Sequence, residues 1–281
     1  QPLAVQAGLA VLQAGGNAVD AAIATVATLC VVEPCSTGIG GDAFALIWSA
    51  DEGRLYGLNA SGPAPMALTA DLVRGHGFAT FPARGGLPVT VPGALRGWEQ
   101  ALDRFGTMGL DRLLQQPIDY ARNGFPVSPA IARAWANSTE LLSRLPDSQR
   151  VWLPAGHAPR ASELFSNPEF AATLQALAEN GYDAFYTGDI AAQIASAVRA
   201  DGGVMTENDL AAYRAEWVEP IAVDYRDWYT FHEIPPNGQG LAALLAINIV
   251  RDFDLRHMTY GSADYYHVLI EAMKLGFADA H

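Results

Sequence analysis

The sequence predicts an α+β fold in which layers of helix pack against sheet. Segments with helical periodicity alternate with strand-like segments in the order helix, strand, helix, strand, helix, and this order is typical of the class. The chain has 281 residues, of which 50% are hydrophobic and 17% are charged, with 27 glycines and 17 prolines. A chain of this size and composition can bury a substantial core and contains many turns.

Two helices are predicted before the first strand. A short amphipathic helix covers residues 6–14 and stops at Gly15-Gly16. A buried, alanine-rich helix then covers residues 17–32. Asn17 is a favoured N-cap residue, with Asp20 three positions later, so the second helix is predicted to begin there.

The glycine-rich turn that follows satisfies the spacing of a dinucleotide-binding motif. Gly38, Gly40 and Ala43 fit the pattern G-x-G-x-x-[G/A]. That motif requires a strand before the glycines and a helix after them, so that the helix N-terminus faces the pyrophosphate. Here a helix precedes the turn, and residues 43–58, with a turn at 51–53, are typical of a β-hairpin. The order of elements therefore argues against nucleotide binding.

The chain then leaves the sheet and enters a helical region. Residues 59–65 cannot continue a central strand because Pro63 and Pro65 lack N–H donors. Residues 87–91 are rich in β-branched side chains and predict an edge strand. Residues 94–105 carry apolar side chains on one face and predict an amphipathic helix.

Residues 94–215 are expected to form a mainly helical lobe within one large domain that covers residues 1–281. His157 and Arg160 fall in the longest irregular loop of this lobe and are interpreted as surface residues. Thr206 is the predicted cap of a further helix. The remaining predicted elements are paired strands at 219–228 and 229–234, an apolar helix at 241–250, and a last helix that begins after Ser262 and runs to the end of the chain.

The net charge of −13 argues against nucleic-acid and anionic-membrane partners, because both require a basic surface. Cys30 and Cys35 are too few for a disulfide framework, although a bridge between the two is an option. His267 and Glu271 lie four residues apart on a helix, and one such pair more often faces solvent than binds a metal.

Several segments match one known family in the same order along the chain. They are 2–9, 12–22, 33–34 with 37–41, 91–93 with 97–98, 235–240 with 244 and 248–249, and 262–264 with 271–272, 274 and 277–279. In these segments the chain resembles the gamma-glutamyltranspeptidase family, and it is most similar to the large chain of a divergent member.

The resemblance implies a four-layer αββα sandwich of the N-terminal nucleophile hydrolase type, completed by a separate small chain from the same precursor. The nucleophile is then the threonine at the start of the small chain, so this chain holds no catalytic residue, and Thr37 is structural. The chain ends shortly after 277–279, and we expect it to be a large chain trimmed at both ends. No cofactor and no metal are implied, and a dimer of heterodimers is an option.

The resemblance also implies one substrate contact from the large chain, an arginine that pairs with the α-carboxylate of a γ-glutamyl group. In this sequence Ser61 precedes the matching Ala-Pro pair, and Arg54 lies at the other end of the strand. We therefore predict Ser61 as a substrate-binding residue that suits an acyl group without this carboxylate. Asn59 and Asp42, at the two ends of the hairpin, are the other candidate substrate-binding residues.

Two further groups of residues are alternatives at this site. Asn237 and Gln239 could line the same cleft, although turn formation alone explains an Asn-Gly pair. Arg74 or Arg96 could replace the missing arginine, and the chain would then belong to a true γ-glutamyl transferase or hydrolase.

The leading hypothesis is a small-amide hydrolase or acyltransferase without selectivity for γ-glutamyl groups. Its segments look closer to cephalosporin acylases and oxamate-type amidohydrolases than to glutathione-cleaving members. The other hypotheses are the γ-glutamyl enzyme and a non-catalytic binding protein that keeps the fold. The compartment, bacterial cytoplasm or periplasm, is left open.

Overall fold

The computed structural model describes residues 1–226 and 228–280, and it confirms a mixed helical and stranded fold. The helices in this part of the chain are α1 (Pro2–Gln13), α2 (Ala18–Val32), α3 (Ala70–Gly75), α4 (Ala94–Phe105), α5 (Leu110–Leu113), α6 (Gln115–Asn123), α7 (Pro129–Asn137), α8 (Thr139–Leu142), α9 (Pro146–Trp152), α10 (Pro168–Asn180), α11 (Asp183–Tyr186), α12 (Gly188–Ala200), α13 (Glu207–Ala212), α14 (Gly240–Val250) and α15 (Ala263–Ala280). The strands are β1 (Ala43–Ser49), β2 (Arg54–Ala60), β3 (Phe125–Pro126), β4 (Leu164–Phe165), β5 (Glu216–Val218), β6 (Ile221–Tyr225) and β7 (Tyr229–Glu233).

The chain folds into two compact units. The first consists of Gln1–Asp42 and Gly62–Tyr213, and the second of Ala43–Ser61 and Arg214–His281. Helices α4 to α13, which make up the predicted lobe, all belong to the first unit. The assignment of the whole chain to a single domain stays a prediction.

The first unit has a helical core built around α2. Small side chains on α2 let neighbouring helices approach closely, and Ala24, Ala27 and Cys30 are almost completely buried. Aromatic residues fill the far side of this core, where the ring of Trp135 packs edge-on against Phe165 with centroids 4.7 Å apart. The core belongs to one continuous hydrophobic cluster.

The start of α2 is held by buried polar groups. Asn17 caps the helix, as predicted: its side chain accepts from the backbone N–H groups of Val19 and Asp20, and the Asp20 carboxylate accepts from the Asn17 N–H at 2.9 Å. The same carboxylate accepts from Thr107, whose backbone N–H is 2.9 Å away. The capping group therefore also fastens the segment that follows α4.

The second unit contains a three-stranded sheet, a separate hairpin and two helices. The sheet has the order β1-β2-β5, with both pairs antiparallel, and β6 pairs with β7 as the hairpin. Helix α14 packs against α15 closely enough that a Cβ at Gly276 would lie 2.6 Å from the Ala242 carbonyl oxygen. Glycine at this position therefore permits the helix contact.

Several predicted elements need correction. Residues 87–91 form no strand: Val91 donates its N–H to the Pro63 carbonyl, and Pro88 and Pro92 prevent a regular ladder around it. Strand β2 continues through Asn59 to Ala60, because the first proline that ends it is Pro63.

Other predicted elements differ less from those in the structure. Helix α1 begins at Pro2 rather than at residue 6, and β5 is a strand that the sequence analysis did not predict. The predicted strand 219–228 includes Asp227, which lies outside the described residues, as does His281.

Cys30 and Cys35 are both free, so they form no bridge. His157 and Arg160 are exposed, as predicted. None of the helices in residues 1–226 and 228–280 combines the length and hydropathy needed to cross a membrane.

Candidate functional site

The glycine-rich turn lies between a helix and a strand, as the sequence predicted. It follows α2 and leads into β1, and its Gly41 carbonyl accepts from the N–H groups of Gly93 and Ala94 at 2.9 and 2.8 Å. These N–H groups belong to the start of α4. Two of the donors of that helix terminus are therefore used by the chain itself, which argues against a phosphate site here.

Two carboxylates fix the segment that follows Ser61. The Gly62 N–H donates to Asp42 Oδ1 at 3.0 Å, and the Met66 N–H donates to Asp209 Oδ1 at 2.9 Å. Gly62 also lies so close to Val91 that an added Cβ would be 1.5 Å from the Val91 carbonyl oxygen. The observed bond gives Asp42 a structural role at the end of the turn, and its role in substrate binding stays a prediction.

Asp209 is held in its charged form by these contacts. Burial raises the pKa of this carboxyl, but the hydrogen bonds from Met66 and Thr206 outweigh that effect, and the net pKa is lowered. Thr206 caps α13, as predicted, so Asp209 links the α13 cap to the segment 62–66.

Asn59, Ser61 and Asn237 form a closed ring of three hydrogen bonds in the second unit, which we call the Asn–Ser–Asn ring. The Asn59 amide donates to Asn237 Oδ1 at 2.7 Å, and the Asn237 amide donates to Ser61 Oγ at 3.1 Å. The Ser61 backbone N–H then donates to Asn59 Oδ1 at 3.0 Å and closes the cycle. The ring contains no charged group. It joins the end of β2 to the loop before α14, and it brings together three of the residues that the sequence analysis proposed.

The ring lies at one end of the β1-β2-β5 sheet. Phe44 on β1 and Glu216 on β5 are both paired in register with Asn59 on β2. Residues directly opposite one another in antiparallel strands share a face, with Cβ atoms about 4.5–5.5 Å apart. Asn59 therefore has an aromatic neighbour on one side and a carboxylate on the other. Both Phe44 and Glu216 are exposed.

The arginines proposed as replacements for the missing carboxylate-binding residue are engaged elsewhere. The Arg96 side chain is only 5% exposed and contacts Glu99 at 2.7 Å and Asp183 at 2.8 Å. Its guanidinium also lies 4.3 Å from the centre of the Tyr186 ring. Burial lowers the pKa of Arg96, but its two carboxylate partners outweigh burial and raise the net pKa, so it remains charged.

Arg54 and Arg74 also have partners of their own. Arg54 pairs with Glu219 at 2.8 Å and lies over the ring of Tyr56. Arg74 pairs with Asp71, three residues earlier on α3, at 3.2 Å. Arg96 is therefore part of the helical core, whereas Arg54 and Arg74 form exposed ion pairs.

Among the described residues, the hydroxyl and thiol groups in the glycine-rich turn and at the end of α2 contact one another rather than a base. The Thr37 Oγ1 atom is 4.0 Å from the buried Cys30 sulfur, and burial raises the pKa of the Cys30 thiol to about 12. Cys35 is exposed, and its sulfur lies 3.7 Å from the Ser36 hydroxyl. Within the described part of the chain no three His, Cys, Asp or Glu side chains are grouped to hold a metal ion.

A sequence profile of the family described as Gamma-glutamyltranspeptidase matches residues 4–281. The chain belongs to the gamma-glutamyltranspeptidase family. It is 40% identical over 278 residues to the "Glutathione hydrolase-like YwrD proenzyme" of Bacillus subtilis, an alignment that covers 99% of this chain and 52% of that protein.

Solved structures of the family share the fold. The cephalosporin acylase of Bacillus halodurans superimposes with a TM-score of 0.94 at 46% identity, over 100% of this chain and 53% of that one. The gamma-glutamyltranspeptidase of Helicobacter pylori gives a TM-score of 0.93 at 31% identity, over 99% of this chain and 81% of that one. These matches confirm the family and the fold class that the resemblance implied. The chain spans about half the length of the curated relatives it matches.

Glu216 is the site residue that sequence reasoning missed. It lies on the three-residue strand β5, which is too short to give a clear alternating pattern, and only its pairing with β2 places it beside Asn59. Gln239 was proposed together with Asn237, but only Asn237 takes part in the Asn–Ser–Asn ring.

Proposed function

We propose that this chain is the larger part of a self-processing, threonine-dependent amide hydrolase or acyltransferase. The observation that carries the proposal is the family match along residues 4–281, to relatives that are named as proenzymes and are about twice as long. The reaction is inferred from family membership, and the kind of acyl group that the enzyme transfers is inferred from the Asn–Ser–Asn ring.

The proposed reaction uses a threonine at the start of the small chain. Its hydroxyl attacks the amide carbonyl while its own α-amino group takes the proton. Backbone N–H groups stabilise the oxyanion, and the amino group then donates the proton to the departing amine. The resulting acyl-enzyme is released by water or by an acceptor amine. This chain contributes the surface that binds the acyl group.

The proposed partner is the rest of the precursor, and the exposed face of β1 is a surface that it would cover. Phe44, Leu46 and Trp48 alternate along this strand on one face and are 49%, 40% and 62% exposed. A row of exposed apolar side chains on a sheet face marks an interaction surface. Because Asn59 shares this face, a small chain docked here would bring its threonine toward the Asn–Ser–Asn ring.

A denaturing gel with intact-mass measurement of the purified full-length protein tests this proposal. We expect two fragments, of which the smaller begins with threonine, and we expect substitution of that threonine by alanine to leave one uncleaved chain. A single chain in the wild type, with no amide hydrolysis, would favour a non-catalytic protein that keeps the fold.

A γ-glutamyl enzyme is the second candidate, since the Bacillus subtilis relative is named glutathione hydrolase-like. This function requires a cation for the α-carboxylate. Arg96 is unsuited to the role because it is buried between Glu99 and Asp183. Efficient cleavage of γ-glutamyl anilides by the wild type would nevertheless select this candidate.

A further inference from the structure

We propose that the Asn–Ser–Asn ring selects the acyl group, that Asn237 is its positioning residue, and that the site accepts acyl groups without a carboxylate. This inference rests on the proposed function and names the substrate class of the same site. It also assigns a role to Glu216, which neither the family resemblance nor the sequence pattern indicated.

The hydrogen bonds of the ring make Asn237 the residue that holds it together. Its amide is the only part of the ring that comes from the loop before α14, and it contacts Asn59 at 2.7 Å and Ser61 at 3.1 Å. Ser61 and Asn59 are joined by a bond within one segment, from the Ser61 N–H to Asn59 Oδ1. Without Asn237, the two hydrogen bonds that link the Asn59 amide to the Ser61 hydroxyl through this loop would be lost.

The ring offers only neutral donors and acceptors. Each amide in it uses one donor and one acceptor within the cycle, and among the described residues its second donor is left for a ligand. Such groups can hydrogen-bond a neutral polar group, but they do not neutralise a carboxylate as a guanidinium does. The ring therefore lacks the charge that an anionic acyl group needs.

The neighbouring charge on the sheet disfavours anions further. Glu216 is paired in register with Asn59, so its carboxylate belongs to the same face of the sheet as the ring. Phe44, on the other side of Asn59, supplies an apolar contact. The combination suits an acyl chain that is neutral or carries an amine and whose remaining part is apolar.

Four anilides of one chain length separate these charge effects. Butyryl 4-nitroanilide carries no charge, γ-aminobutyryl carries an amine, glutaryl carries a carboxylate, and γ-glutamyl carries both. For the processed full-length protein we expect kcat/KM to be highest for the first two and lowest for glutaryl, with a difference of about tenfold or more.

Substitutions at two residues, Asn237 and Glu216, test the roles that we assign. Asn237→Asp keeps the shape of the side chain and its acceptor for Asn59, while the Ser61 hydroxyl can reverse and donate to it. We expect the ratio of butyryl to glutaryl kcat/KM to rise about fivefold, since an added exposed charge has an effect of this size. Glu216→Gln should lower the same ratio by a similar factor. Asn237→Ala should raise KM for butyryl anilide, and Asn237→Ser should restore part of the loss.

Asn208→Asp is the matched control, because it adds the same charge on the exposed first turn of α13. It should leave all four rates unchanged. Comparable melting temperatures for the variants would separate selectivity from folding, and the rate ratios do not depend on the fraction of folded protein.

The outcomes distinguish this inference from the proposed function. A protein without a threonine-initiated fragment that cleaves none of the anilides overturns the proposed function, and the inference fails with it. A processed protein that prefers glutaryl or γ-glutamyl anilide, or that cleaves none of the four, overturns the inference alone. Unchanged ratios in Asn237→Asp and Glu216→Gln would likewise show that the ring does not select the acyl group.

Discussion

At the scale of single residues, Asp20 shows how a buried charge fastens two segments of the first unit. Its carboxylate is fully buried and accepts from Asn17, Thr107 and Met108. Burial raises the pKa of Asp20, but the hydrogen bond from the Thr107 hydroxyl and those from backbone N–H groups outweigh it, and the net pKa is lowered. The charged form is therefore the one that the fold stabilises.

Asp20→Asn should destabilise the first unit by about 2–3 kcal/mol, because an amide nitrogen cannot accept the hydrogen bonds of the oxygen it replaces. The folded-state pKa lies below that of the unfolded chain, so the stabilisation is present above about pH 4 and is lost as the pH falls through the folded pKa. Urea unfolding between pH 3 and 7 measures both effects. Equal pH dependence of stability in the variant and the wild type would contradict this role for Asp20.

The residues of the candidate site differ in how far the sequence could reveal them. The resemblance to the family pointed to Ser61, and chain order placed Asn59 beside it. Asn237 is distant in sequence, and its Asn-Gly pair is equally well explained as a turn. Glu216 could not be found, because its proximity to Asn59 depends on the register of a short strand.

At the scale of elements, the features best predicted from the sequence are those set by residues close to one another in the chain. The capping of α2 and α13 follows from side chains within one turn of the helix start. The bounds of α4 follow from the Pro92-Gly93 turn before it and from Gly106 after it. Residues 87–91 have the composition of a strand and form none, since prolines leave no continuous row of donors. Whether a segment forms a strand depends on the segment with which it pairs. A single sequence does not show which segments pair.

Helix α4 shows why an arginine proposed from sequence as a carboxylate-binding residue need not bind substrate. Arg96 contacts Glu99 on its own helix and Asp183 at the start of α11, so the side chain ties two helices of the core together. Arg74 makes one exposed contact within α3. The two arginines, both proposed from sequence as carboxylate-binding residues, should therefore respond differently to substitution.

We expect Arg96→Met to destabilise the protein by about 2 kcal/mol, because it removes the hydrogen bonds from the buried guanidinium to Glu99 and Asp183. Arg74→Met should cost less than about 1 kcal/mol, as is usual for exposed ion pairs. Chemical unfolding of both variants gives the comparison. A change in the butyryl to glutaryl rate ratio in Arg96→Met, without loss of stability, would instead indicate a role in substrate binding.

At the scale of the whole molecule, the two faces of the β1-β2-β5 sheet are unequally covered. The side chains of Tyr56, Leu58 and Ala60 on one face of β2 are buried, and Tyr56 packs edge-on against Trp217. The opposite face carries the exposed residues of β1 beside Asn59. A sheet buried on one side only, with apolar residues on the other, is typical of an incomplete layer arrangement.

This asymmetry leads to a prediction for the full-length precursor. Leu46→Glu puts a charge in the middle of the exposed face, where burial against the small chain would cost several kcal/mol. We expect the yield of processed protein with both fragments to fall at least tenfold, as measured by gel and size-exclusion chromatography. Ala50→Glu, which adds the same charge at the exposed tip of the hairpin, should process and assemble like the wild type. The two substituted positions are only four residues apart, so a difference between the variants depends on which face of the sheet carries the charge. Normal assembly of Leu46→Glu would mean that the small chain docks elsewhere. The proposed approach of its threonine to the Asn–Ser–Asn ring would then be wrong.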